Sequence, residues 1–141
     1  MSETAQKKST GRSVVAVIAG LLTVIALDLG IDAIMHATGV FPPSSKTQPM
    51  ADSLFLLAMG YRMCDGVLGG FVAARLAPSR PLRHAVILGC IGLAGSLAGA
   101  IATRNMNLGP QWYSLALVVV ALPCAFLGGT IRARKLAPQS T

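Results

Sequence analysis

The chain has 141 residues, of which 53% are hydrophobic and 12% are charged, and its formal net charge is +7. A soluble domain has about 25% charged residues, so this composition argues against a soluble globular protein and favours one that lies in lipid. The basic residues lie at the ends of apolar runs instead of along one face, which argues against a nucleic-acid-binding protein.

The first apolar run covers residues 14–35 and follows a basic segment at 1–13. A run of about 18 or more apolar residues can cross a bilayer as a helix. Asp28, Asp32 and His36 follow at intervals of four residues, which places their side chains on one helix face. The basic start also resembles that of a signal peptide. The aspartates lie where a cleavage site would be, so we expect the segment to be retained.

The second apolar run, 53–76, adds two ionisable residues, Arg62 and Asp65. A charge near the bilayer centre costs about 2.5–3.5 kcal/mol even on a lenient scale, so such residues are expected to face the bundle interior and to pair. At a rise of about 1.5 Å per residue in antiparallel helices, Arg62 lies between Asp28 and Asp65 in depth. We therefore predict that Arg62 bridges Asp28 and Asp65 and joins the first two helices.

Two more apolar runs, 84–103 and 111–131, precede a basic tail at 132–141. The connectors between the runs contain glycine and proline, which break helices, as in "TGVFPPSSKTQP", "APSRP" and "NMNLGP". Backbone groups must be paired inside lipid, and the sequence has no alternating strand pattern, so helices are the expected spanning form. The sequence therefore predicts an all-α protein, a bundle of four transmembrane helices within 14–131.

Lysine and arginine are concentrated at one end of the predicted bundle. The other end has only Lys46 and Arg104 in its two connectors. Because basic residues collect on the cytoplasmic side of a membrane, both termini are predicted to be cytoplasmic. Trp112 and Tyr113, at the start of the fourth run, suit an aromatic belt at the opposite interface.

Two strings are alike, "LGGFVAARLAP" at 68–78 and "LGGTIRARKLAP" at 127–138. They indicate either a duplicated two-helix hairpin in parallel repeat or a coincidence among residues that are common in membranes. Small residues also recur at intervals of three or four, which favours close helix packing and supports a homo-oligomer only weakly. The packing residues expected from this pattern are Gly66, Gly70, Ala74, Gly92, Gly95 and Gly99.

Two functions remain open for the intramembrane polar cluster of Asp28, Asp32, His36, Arg62 and Asp65. In the first, which the need to pair buried charge favours, the cluster is structural and the chain is a non-enzymatic accessory or scaffold protein. In the second, Asp28, Asp32 and His36 serve a small proton- or cation-coupled transporter or channel, because one arginine leaves an excess of acid in the membrane. The expected partners are the lipid bilayer and either a second copy or another membrane protein, with no nucleic acid.

Catalytic, metal and cofactor sites are not expected. The chain has no GxSxG or HExxH motif and no phosphate-binding glycine loop, so we expect no enzyme activity and no cofactor. Asp28 and His36 are about 12 Å apart along the helix, too far to share one metal ion with Asp32. The three cysteines have no CxxC spacing, which argues against a zinc site.

The strings "HATGVFPP", "YR" followed by "LGGFVAARLAPSRPLRHAVILG", and "LGPQWYSLALVVVALPCAFLGG" resemble those of a group of small four-span bacterial integral membrane proteins. The resemblance covers most of the chain after Asp28 and rests chiefly on the string LGG-x3-AR-LAP-x-RP-x-RHA. It implies a four-helix fold in a bacterial cytoplasmic membrane. It implies no mechanism, because the group has no assigned activity. The matching strings include Tyr61, Arg62, Gly69, Gly70, Arg75, Arg83 and His84.

Overall fold

A computed structural model describes residues 3–42, 50–106 and 109–136 of the chain. Most of them belong to four helices: α1, Glu3–Ala37; α2, Asp52–Leu76; α3, Pro81–Thr103; and α4, Gln111–Leu136. These described ranges contain no strand, and the four helices are all long and apolar enough to cross a membrane. The predicted all-α bundle of four membrane-spanning helices is confirmed.

The helices extend beyond several of the predicted spans. α1 begins at Glu3, within the segment 1–13 that we expected to be a tail, because helix formation does not require the apolar residues that crossing a membrane does. α3 begins at Pro81, where proline loses no helical hydrogen bond. Arg80 before it has φ of +45°, a left-handed conformation that turns the chain sharply between α2 and α3. α4 continues to Leu136 through the predicted start of the C-terminal tail.

The four helices form a bundle around α2. It packs against α1, α3 and α4, whereas the backbones of α1 and α4 are not in contact in the described part of the chain. We call the end of the bundle near Glu3 and Leu136 the proximal end, and the end near Ala37 and Gln111 the distal end. α1 packs mainly on α2 and has a smaller contact with α3, so its position in the bundle depends chiefly on its contacts with α2.

A pair of adjacent glycines brings α2 close to two other helices. Gly69 lies against Gly20 and Val24 of α1, and Gly70 lies against the backbone of Ala125 in α4. A Cβ atom at either glycine would overlap the neighbouring helix. In lipid, helices are held together by such close packing instead of by the hydrophobic effect, so these contacts set the spacing of the bundle.

The matching glycine pair on α4 makes contacts of the same kind. Gly128 lies against the α2 backbone at Val67, and Gly129 lies against Ala85 of α3. In each pair, one glycine contacts the other helix of its own hairpin and one contacts the opposite hairpin. Gly69 and Gly128 align in the repeated strings but face different helices, so the two hairpins use the motif in different ways.

The other predicted packing residues fall into two groups. Ala74 is 2% exposed, and Cβ atoms at Gly66 and Gly92 would lie 3.1 Å from Cys124 and 3.7 Å from Ala121. Cβ atoms at two further glycines, by contrast, would meet nothing within 4 Å. These are Gly95 and Gly99, which we expected to pack within the bundle and which instead lie exposed on α3. They lie on a face of α3 that no described helix covers.

Candidate functional site

Arg62 of α2 forms ion pairs with two carboxylates of α1. Its Nη1 atom is 3.2 Å from Oδ2 of Asp28, and its Nη2 atom is 2.7 Å from Oδ2 of Asp32. The expected pair with Asp28 is present, but the expected bridge from Arg62 to Asp65 is wrong, since Asp32 takes the second place. The two Nη atoms are spaced to reach carboxylates one helical turn apart on the neighbouring helix.

Tyr61 and Tyr113 complete the surroundings of Arg62. The Tyr61 hydroxyl donates a hydrogen bond to Oδ1 of Asp32, so both oxygens of that carboxylate have partners. The Arg62 guanidinium lies 5.8 Å from the centre of the Tyr61 ring. The Tyr113 hydroxyl of α4 lies close enough to Arg62 to interact with it, and its ring packs 5.1 Å from that of Phe55. The sequence suggested an interfacial position for Tyr113 and no contact with the cluster.

Asp65 occupies a different position from the one that the sequence predicted. It is 2% exposed, and its Oδ2 atom has no hydrogen-bond partner among the described residues. Its carboxyl group lies beside that of Asp28, close enough for a hydrogen bond between the two if one carries a proton. Oδ1 of Asp28 also lacks a partner. The buried Asp65 and the half-buried Asp28 therefore lie side by side, and each has an oxygen atom without a hydrogen-bond donor among the described residues.

A central chamber of about 130 Å³ adjoins Asp28 and Arg62. At about 30 Å³ per molecule, this volume has room for about four waters. The Nε atom of Arg62, like Oδ1 of Asp28, has no protein partner, so both wall residues retain polar atoms that water could bind. All four helices contribute to the rest of the wall: Leu21, Val24, Gly66, Leu88, Gly89, Gly92, Ser96, Leu117, Val120, Ala121, Cys124 and Ala125.

His36 stands apart from the ionic cluster. Its Nδ1 atom lies 2.8 Å from the backbone oxygen of Asp32, and its ring packs edge-on against Phe41 at 5.5 Å. The side chain is exposed at the distal end of α1, while the Asp32 carboxylate is directed to Arg62 and Tyr61. The side chains of Asp32 and His36, which we expected to serve one transport path, therefore have different partners and do not form one polar site.

Within the described ranges, no three His, Cys, Asp or Glu side chains are grouped as metal ligands would be. Comparisons with family models, with curated proteins and with solved structures found no match. The features of the described residues that bear on function are therefore Arg62, the three aspartates and the central chamber.

Proposed function

We propose that the protein is a non-enzymatic, multi-pass membrane protein that takes up and releases a proton at Asp28 and Asp65, as a small proton- or cation-coupled transport unit. Its four helices are long and apolar enough for a multi-pass membrane protein. One observation carries the proposal: Asp65 is deeply buried, its Oδ2 atom has no partner among the described residues, and the carboxyl group of a second acid, Asp28, lies beside it.

The balance of charges favours a bound proton. Arg62 supplies one positive charge, whereas Asp28, Asp32 and Asp65 would supply three negative charges if all were ionised. Asp32 is bound through both oxygens by Arg62 and Tyr61, which suits the ionised form. A proton shared by Asp28 and Asp65 would remove one of the two excess negative charges. It would also give a partner to an oxygen that otherwise has none, which lowers the cost of burial.

The central chamber supplies a place for water next to this acid pair. Asp28 belongs to both, since it forms part of the chamber wall and lies beside Asp65. Acidic residues inside a membrane bundle commonly mark the paths of protons and ions. A proton could pass between chamber water and the acid pair without any change in the helix contacts made by glycine.

We further propose that the chain lies in a bacterial cytoplasmic membrane with both termini inside. The proximal end carries the basic residues that favour this orientation. Those with described side chains are Arg12, Arg75, Arg80, Arg83, Arg132, Arg134 and Lys135. Arg104 is the basic residue described at the distal end, and Lys46 lies outside the described residues.

Proton flux into liposomes tests the proposal. The purified full chain is reconstituted with a pH-sensitive dye inside, and a potassium gradient with valinomycin imposes a potential. We expect dye acidification with the wild type, and a rate at least tenfold lower with Asp65→Asn and Asp28→Asn. Asp52→Asn is the matched control, because Asp52 is an exposed acid at the start of the same helix as Asp65.

Two results would overturn proton handling. One is a wild-type rate equal to that of protein-free liposomes, after the protein is shown to be inserted and helical. The other is an equal proton flux in the wild type and Asp65→Asn, which would mean that the protons do not pass through Asp65. Loss of flux in Asp52→Asn as well would point to impaired insertion, and the proposal would then fail its own control.

An accessory or scaffold protein is the second candidate function. The observation that favours it is that Arg62 joins both acids of α1 to α2, the helix on which α1 mainly packs. In that case the cluster fixes the fold, and the apolar outer surface binds a second copy or another membrane protein. Absence of proton flux, together with a specific product of cross-linking in native membranes, would support this function over the first.

A further inference from the structure

A second and larger cavity lies at the distal end, between α3 and α4. Its volume is about 400 Å³, within the range of about 300–1,000 Å³ that is usual for ligand pockets. It is separate from the central chamber, since the two share no wall residue. We call it the distal pocket, and its wall is formed by Leu97, Ala100, Ile101, Thr103, Arg104, Gly109, Gln111, Tyr113, Ser114 and Leu115.

The wall of the distal pocket divides into an apolar part and a polar part. Leu97, Ile101 and Leu115 are 44%, 67% and 59% exposed, so the apolar part opens on the side where lipid chains would lie. The polar part includes Arg104 and Gln111, which lie at the facing ends of α3 and α4. A ligand that fills both parts must have an apolar chain and a polar head.

The charge of the head follows from the residues that line the polar part. Arg104 is exposed and provides a guanidinium group, and the described residues of the wall include no acidic side chain. Gln111 and Ser114 add neutral groups that can donate hydrogen bonds. Guanidinium groups bind phosphate with two parallel hydrogen bonds, so the polar part complements a phosphate that carries negative charge.

We propose that the distal pocket binds an anionic phospholipid of the surrounding membrane, with its phosphate at Arg104 and an acyl chain along Leu97, Ile101 and Leu115. A lipid suits the pocket because Arg104, one residue past the end of α3, lies at the depth of lipid head groups, while the apolar residues extend one to two turns deeper. The inference does not depend on proton handling. Tyr113 nevertheless lines the pocket and lies beside Arg62, so the lipid would lie one side chain away from the ionic cluster.

Trp112 provides a direct test. It is the single tryptophan of the chain, and its neighbours Gln111 and Tyr113 both line the pocket. Phosphatidylglycerol with brominated acyl chains is titrated into the full chain in detergent, and quenching of Trp112 fluorescence is compared with that by brominated phosphatidylcholine. We expect half-maximal quenching at a concentration about tenfold lower for phosphatidylglycerol, equivalent to about 1.4 kcal/mol.

Two variants separate a specific site from the lipid that coats any membrane protein. Arg104→Gln should remove the preference for phosphatidylglycerol, and Ala100→Phe should weaken quenching by filling the pocket. Arg134→Gln, an exposed arginine near the end of α4 at the proximal side, should keep the wild-type preference. Inorganic phosphate at millimolar concentration should not compete, since it has no acyl chain.

Three outcomes would overturn the proposal. Equal quenching by the two lipids in the wild type would mean general lipid coating. An unchanged preference in Arg104→Gln, with helix content retained in circular dichroism, would remove Arg104 from recognition. Full competition by inorganic phosphate would replace the lipid by a soluble anion as the ligand.

Discussion

Gly70 of α2 and Ala125 of α4 are in direct backbone contact, with no room between them for a methyl group. In Gly70→Ala, the new Cβ atom would overlap backbone atoms of Ala125, which cannot move aside as a flexible side chain does. We expect the free energy of unfolding to fall by about 1–3 kcal/mol, as for other overpacked sites. Unfolding by sodium dodecyl sulfate in mixed micelles, followed by circular dichroism, measures this change.

Gly95→Ala is the control for that substitution. A Cβ atom there would meet nothing within 4 Å, so the bundle need not move. Alanine is favoured over glycine in helices by about 1 kcal/mol, and we expect the variant to be as stable as the wild type or slightly more stable. Similar losses in Gly70→Ala and Gly95→Ala would mean that the contact between α2 and α4 does not govern stability.

Removal of the Arg62 side chain should be among the most damaging changes in the bundle. Arg62→Ala leaves Asp28 and Asp32 without their cation, and breaking a buried ion pair from one side costs about 3–5 kcal/mol. We expect about 3 kcal/mol, because the three side chains retain 22–28% exposure. The same detergent titration measures the loss. Arg75→Ala, at an exposed proximal position, should change stability by less than about 0.5 kcal/mol.

Arg62→Lys distinguishes charge from geometry at the same position. A single ammonium group cannot repeat the two separate contacts that Nη1 and Nη2 make with Asp28 and Asp32. We therefore expect a stability between those of Arg62→Ala and the wild type. Full recovery with lysine would mean that one positive charge near the acids is sufficient and that the paired geometry is incidental.

The hydrogen bond from Tyr61 to Asp32 gives an independent measure of the contact between α1 and α2. Tyr61→Phe removes the hydroxyl and keeps the ring, so the cation–π contact with Arg62 is retained. A hydrogen bond to a charged group contributes about 1.5–3 kcal/mol, and we expect a loss in that range. If the variant is as stable as the wild type, water or a shifted Arg62 must donate the hydrogen bond to Asp32 in place of the hydroxyl. Tyr61 would then not contribute to the contact between α1 and α2.

The sequence was sufficient to predict the helices because few backbone conformations are possible inside lipid. Long apolar runs with glycine and proline between them can only be helices and connectors when every backbone group needs a partner. The exact ends were harder to predict. Glu3 to Arg12 lie in a polar stretch that is helical without being part of an apolar run, and hydropathy carries no signal for it.

The ionic cluster was predicted in its members but not in its pairing. Depth along the helix axis placed Arg62 between Asp28 and Asp65, and depth says nothing about how each helix is rotated. The rotation of α2 directs Arg62 to two acids of α1 and leaves Asp65 facing Asp28. The central chamber had no signal at all in the sequence, because a cavity depends on where four helices fail to meet.

Asp65→Asn separates a functional acid from a structural one. A buried carboxylate with an unpartnered oxygen lowers stability, and asparagine has nearly the same shape without the charge. Its amide could donate to Oδ1 of Asp28, which has no other partner. We therefore expect the free energy of unfolding to stay the same or to rise by about 1 kcal/mol, while proton flux is lost. This trade-off is typical of residues that are kept for activity.

Detergent unfolding and the liposome assay are made on the same preparation of Asp65→Asn. A loss of stability of more than about 1 kcal/mol would place Asp65 among the residues that hold the bundle together, since most changes of that size in a membrane or soluble core reflect lost packing or pairing.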